Sequence, residues 1–151
     1  MVKRAAFLCL LCLMLLCLTG CADKRAERDL AFFGIRYGMT EEEAALLEKR
    51  EFGNEFTGRE KNWIIYGGDP THRYGGEKRH VYYFDENGKL DGVSLWGLSV
   101  QQLQNELGEY DEYKSNVKWY YWYGNIEGVP TTIRLDPKTG ETLMWDAIGE
   151  K

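Results

Sequence analysis

Cysteine is nearly absent from the part of the chain that can fold. Of the four cysteines, Cys9, Cys12 and Cys17 sit in an apolar N-terminal stretch, and only Cys21 lies beyond it. The chain after residue 20 can therefore form no internal disulfide, and it lacks the thiol sets that zinc-cysteine sites and thiol catalysis need. Basic residues are also scarce: 19 Lys and Arg stand against 24 Asp and Glu. Without Lys3 and Arg4 the balance is 17 minus 24, or −7, which argues against nucleic acid and against electrostatic adhesion to anionic lipid. Histidine occurs twice, as His72 and His80, with no His-x-x-x-His pair, no Gly-x-Ser-x-Gly elbow and no Gly-Lys-Ser/Thr phosphate cradle anywhere. These absences point to a non-enzymatic protein with no cofactor and no metal.

Long hydrophobic runs are missing as well, apart from Ala5 to Leu18. That run falls short of the roughly 20 residues that span a bilayer. Lys3 and Arg4 precede it, and Thr19-Gly20-Cys21 follows, which is the n-region, h-region and small-residue cleavage site of an export signal. Leu18-Thr19-Gly20-Cys21 resembles the lipobox of bacterial lipoproteins, and the resemblance implies cleavage after Gly20 and acylation of Cys21. Residues 1–20 are then a signal peptide and the mature protein is held to a membrane by its acyl chains, facing the extracytoplasmic side. Ala22 after the cysteine resembles the sorting pattern for the outer membrane where the envelope has two; with one, the anchor stays in the cell membrane. Residues 21–31 are dense in mixed charge and read as a solvated tether or a frayed helix.

Residues 32–151 are long enough for one domain with its own core. Gly38-Met39-Thr40-Glu41-Glu42-Glu43 recurs in type as Gly97-Leu98-Ser99-Val100-Gln101-Gln102, each a capping box opening a helix. Ala44, Leu46 and Leu47 supply an apolar stripe after the first, and Val100, Leu103 and Leu107 after the second, before Gly108. Stretches rich in β-branched and aromatic residues follow each helix: 62–67, 79–85 and 89–96, then 116–124, 129–136 and 141–146. Asp85-Glu86-Asn87-Gly88 and Asp136-Pro137-Lys138-Thr139-Gly140 read as tight hairpin turns. The first of these lacks the twelve-residue oxygen pattern of a calcium loop. The expected fold is α+β: two tandem repeats, at about 38–96 and 97–146, each a helical segment plus a three-stranded antiparallel meander, forming a sheet with helices on one face.

This unit resembles the β-lactamase-inhibitor-like fold. The segment Gly34-Ile35-Arg36-Tyr37-Gly38-Met39-Thr40-Glu41-Glu42-Glu43 is similar to the opening of SmpA/OmlA-family envelope lipoproteins. The resemblance implies a non-catalytic envelope protein that works through contacts with another envelope protein, and it carries over no particular binding residue. The chain departs from that family in its second copy, and from the disulfide-bonded inhibitors in having no mature cysteine pair.

Asp69, His72, His80 and Asp85 are the residues that convergence on one loop would make catalytic, but no spacing among them demands it. The aromatic run Val117-Lys118-Trp119-Tyr120-Tyr121-Trp122-Tyr123 is more informative. Strand alternation separates Val117, Trp119, Tyr121 and Tyr123 from Lys118, Tyr120 and Trp122. The lysine assigns its own set to the open side of the sheet, and aligning the hairpins adds Tyr83, Thr132 and Arg134. Tyr83, Lys118, Tyr120, Trp122 and Arg134 are thus the expected binding residues, for a protein partner or alternatively as a stacking platform for glycan or peptidoglycan fragments. The competing possibility is that both faces close and every ring is core.

Overall fold

The computed structural model describes residues 28–69 and 79–147; the expected export segment, Cys21 and His72 lie outside the described residues. Two short helices, α1 (Glu41–Leu47) and α2 (Val100–Leu107), punctuate eight strands. These are β1 (Phe56–Glu60), β2 (Trp63–Gly67), β3 (Arg79–Phe84), β4 (Leu90–Leu95), β5 (Glu112–Lys114), β6 (Trp119–Ile126), β7 (Val129–Asp136) and β8 (Glu141–Asp146). All eight join one antiparallel sheet in the order β1-β2-β3-β4-β8-β7-β6-β5.

This corrects the expected fold of two helix-plus-three-strand repeats. The molecule is mostly one eight-stranded sheet, and four strands follow each helix. Strands β1 and β5 escaped the sequence reading because Phe-Thr-Gly-Arg-Glu and Glu-Tyr-Lys carry too few β-branched residues to stand out. Both are edge strands, whose ladders need support from one side only.

Both helices start where their capping boxes dictate. Thr40 Oγ1 accepts the Glu43 N–H at 3.2 Å while Glu43 returns a carboxylate to the Thr40 N–H at 2.8 Å. Ser99 and Gln102 repeat the exchange at 3.2 and 2.9 Å. Ala44 and Leu47 of α1, with Leu103 and Leu107 of α2, enter one core against a single face of the sheet. Leu46, expected in the α1 stripe, is instead 63% exposed, since it follows Ala45 around the outer side of the helix. From the sheet the core takes Ile64, Tyr66, Tyr82, Phe84, Val93, Leu95, Trp122, Ile126, Ile133, Leu135 and Met144.

Residues 28–30, expected within the solvated tether, are fixed across β6. Leu30 N–H donates to the Asn125 carbonyl and Asn125 N–H to the Arg28 carbonyl, each at 2.7 Å, and Leu30 is buried. Gly124 makes room for this crossing, because a Cβ there would lie 2.3 Å from the Arg28 carbonyl oxygen.

A buried polar cluster sits at the end of α1. The helix widens into a π-helical turn, Glu48–Phe52, that carries Glu48 inward to full burial. Its carboxylate accepts from the Tyr82 hydroxyl at 2.7 Å, from His80 Nδ1 at 2.7 Å and from Asn54 Nδ2 at 2.9 Å. The Phe52 ring closes edge-on over the His80 imidazole at 4.6 Å.

Candidate functional site

The sheet face opposite the core is built by cross-strand neighbours that the pairing register specifies. One row runs Trp63, Tyr83, Gly92, Trp145, Thr132, Tyr123 from β2 through β3, β4, β8 and β7 to β6. The row beside it runs Ile65, Val81, Ser94, Leu143, Arg134, Tyr121. Trp96 and Trp119 border these rows, under the guanidinium groups of Arg79 and Arg134 respectively. Seven large aromatic rings thus share a face over which, among the described residues, no helix packs. Trp63 is 40% exposed, and Tyr83, Trp96, Trp119, Tyr123 and Trp145 are half-buried.

The register follows from the turns. Ile126 pairs with Val129 across Glu127-Gly128, both with positive φ (50° and 82°), a two-residue hairpin loop. Counting back places Trp122 opposite Ile133 and Tyr121 opposite Arg134. Ile133 is in the core, so Trp122 is too.

That result reverses part of the expected site. Trp122 is fully buried, donating Nε1–H to the Gly108 carbonyl at 2.8 Å, and Tyr120 packs half-buried against the same core. Lys118 precedes β6 in a turn with φ 61°, its N–H donating to the Lys114 carbonyl, so it marks neither face. Tyr83, Thr132 and Arg134 lie on the open face, but their companions there are Trp119, Tyr121 and Tyr123. Trp63, Trp96 and Trp145 also belong to the face and were missed. The Glu127-Gly128 turn was the available signal for β6, because a one-residue slip sends every side chain to the other side.

The face is hollowed at its centre. Gly92 lies between Tyr83 and Trp145, and it bares the backbone between two flanking rings, leaving a depression of about 330 Å³ that Asp91 and Leu143 also line. A Cβ on Gly92 would meet the Met144 carbonyl oxygen at 3.0 Å, so a side chain there would push β8 away by a few tenths of an ångström as well as fill the hollow. A second depression of about 230 Å³ is lined by Trp63, Ile65, Arg79, Val81 and Tyr83. Trp63 and Tyr83 meet edge-to-face at 5.3 Å, and Tyr121 and Tyr123 stack at 6.0 Å.

Polar groups on the face are mostly held by one another. Trp96 Nε1–H donates to Ser94 Oγ, which donates to Glu141 at 3.1 Å, and the Tyr123 hydroxyl donates to Glu112 at 2.6 Å. Burial, with Glu141 nearby, raises the Tyr83 pKa, so its hydroxyl stays neutral and available as a donor.

Of the residues weighed for catalysis, His72 lies outside the described residues, and His80 and Asp85 hold separate places. His80 does meet a carboxylate, but it is Glu48 on the core side, and both are sealed from solvent. Asp85 caps its hairpin turn, accepting from the Asn87 and Lys89 N–H groups at 2.8 Å, and these bonds hold its carboxyl below the usual range. Among the described residues no cluster of three His, Cys, Asp or Glu side chains is placed to hold a metal. No protein-family model, curated protein or solved structure matches this chain.

Proposed function

We propose that this chain is a binding module that docks a protein partner on the open face of its sheet and is held at a bacterial membrane by a lipid on Cys21. The observation that carries the docking reading is the continuous aromatic face, hollowed at Gly92 between Tyr83 and Trp145. Trp, Tyr and Arg around a concavity are the residues that dominate protein-interface energies, because each buries much area for little lost side-chain freedom. A glycan platform would show rings rimmed by Asp, Asn or Arg groups, and Asp91 in the hollow with Arg134 on the face keep it as the second reading, while Glu112 and Glu141 already accept from Tyr123 and Ser94. The anchoring half of the reading rests on the sequence around Cys21. Among the described residues no helix is long and apolar enough to cross a membrane.

Site-directed photocrosslinking tests the docking reading. A photoreactive phenylalanine at Trp63 or Tyr83 in native envelopes should capture a discrete protein, and Trp145→Ala should abolish that capture. The same probe at Leu46, exposed on α1 away from the face, should capture nothing. Equal capture from Leu46, or none from Trp63 and Tyr83, refutes the reading.

A further inference from the structure

We propose that the β6-β7-β8 part of the open face recognises a carboxylate of the partner protein, an Asp or Glu side chain, with Arg134 as its principal receptor and Lys114 as a second cation. This rests on reading the face as a docking surface, and adds what that partner must present.

Arg134 lies at the middle of β7, flanked diagonally by Trp119 on β6 and Trp145 on β8. Its guanidinium carbon is 3.9 Å from the Trp119 ring centroid and 6.0 Å from that of Trp145. The side chain is half-buried, and its Nε–H is buried without an acceptor. Among the described residues no carboxylate forms an ion pair with it, and it makes no other hydrogen bond or ion pair. Lys114 is in the same condition: its ammonium sits 4.4 Å from the Tyr121 ring centroid and pairs with no described carboxylate.

Arg134 differs from the chain's solvated surface lysines in that its side chain is half-buried, with one N–H sealed and unmatched. Carboxylates are not far away. Glu112 lies opposite Tyr121, and Glu141 opposite Asp136, but these two glutamates accept from Tyr123 and Ser94 instead. Stacking on an indole face offsets part of the cost of partly desolvating a guanidinium but satisfies none of its five N–H donors. It also holds the group flat and ready, so a carboxylate arriving there forms charge-assisted bonds to the two Nη groups, the sealed Nε–H being out of its reach, with little further ordering. As the partner's body excludes water from the rings, that attraction strengthens.

Panning a random dodecapeptide library against the full chain purified in mild detergent tests this directly. The peptides are displayed at a phage N-terminus, so none offers a free C-terminal carboxylate. Wild-type protein should enrich peptides with Asp or Glu at one position, and replacing that residue by Asn or Gln should weaken the synthetic peptide about tenfold or more. On Arg134→Gln the acidic and amide peptides should bind equally, the signature of a direct pair in a double-mutant cycle. Arg134→Lys should retain part of the preference, and it serves in place of Arg134→Gln should that variant unfold. Selected peptides that lack an acidic preference, yet lose binding on Trp145→Ala, overturn the carboxylate proposal and leave the docking face standing. An acidic preference unchanged in Arg134→Gln and Arg134→Lys, but sensitive to Trp145→Ala, does the same. Peptides indifferent to Tyr83→Ala, Arg134→Gln and Trp145→Ala alike, or no enrichment at all, overturn both.

Discussion

Trp122→Ala should be the most damaging single change in β6, and the structure allows its size to be worked out. The indole is fully buried in the core beside Ile133, and its Nε1–H donates to the Gly108 carbonyl at the end of α2. Removing a buried Trp costs about 3–5 kcal/mol, and the orphaned carbonyl adds about 1 kcal/mol where it stays dry. In a domain of this size each kcal/mol moves Tm by about 4 °C, so a loss on the order of 12–24 °C is expected. Trp119→Ala removes a half-buried ring whose main contact is the Arg134 guanidinium, and should cost about 1–2 kcal/mol, a shift of roughly 4–8 °C. Trp122→Phe keeps most of the volume and loses the hydrogen bond, so it should fall between them. Thermal unfolding followed by circular dichroism ranks the three. Should Trp122→Ala melt within a few degrees of wild type, or Trp119→Ala prove the worse, the register of β6 against β7 is wrong and the assignment of the open face falls with it.

Glu48→Gln should lower stability by about 1–3 kcal/mol in denaturant titration, because Tyr82, His80 and Asn54 all donate to the carboxylate and an amide N–H₂ in its place faces a donor. Gly124→Ala should unfold or badly weaken the domain, since its Cβ would collide with the Arg28 backbone, whereas Gly88→Ala, in an open turn at φ 70°, should cost only the backbone strain of about 1 kcal/mol. Burial, reinforced by Asp146 and Asp91, pushes the Tyr37 pKa up to about 12, and burial also raises those of Tyr66, Tyr82 and Tyr83. A raised folded pKa means a contribution fully present below pH ~10 and lost as pH climbs through the folded value; an absorbance titration at alkaline pH should show these phenols ionising late and together with unfolding. Cys21→Ser should release the protein from the membrane fraction or stall it as an uncleaved precursor, and a variant still processed after Gly20 and membrane-bound would sink the anchoring proposal.

What the sequence made legible was local. Capping boxes at Thr40 and Ser99 mark the helix starts because their hydrogen bonds close within four residues. Six of the strands announce themselves through β-branched and aromatic density, and the Asp85 and Asp136 turns through their side-chain bonds to the following backbone. The strand count, the single sheet and the pairing of β4 with β8 were not legible, because non-consecutive pairing leaves no mark in a local window. Glu48 was invisible for a similar reason. A glutamate one turn past α1 reads as solvated until the π-turn carries it under His80, Tyr82 and Asn54.

The aromatic strand shows why alternation alone misplaces a site. Alternation separates inside from outside only when the two sets differ in polarity, and in Trp119-Tyr120-Tyr121-Trp122-Tyr123 they do not. Lys118 supplied the only polar contrast, and it stands in the turn before β6, where alternation no longer holds. β7 carries the contrast that β6 lacks, with Ile133 and Leu135 against Thr132 and Arg134, and the two-residue loop at Glu127-Gly128 transfers it across the hairpin. The neighbours then decide what each ring does. Trp122 meets Ile133, finds a carbonyl for its N–H and becomes core. Trp119, three residues earlier, meets a guanidinium with no described carboxylate partner and becomes part of a surface. An indole in either place buries area, but only the second leaves a charge that another molecule could satisfy, and on the open face that charge, more than the rings, would set the identity of the proposed partner.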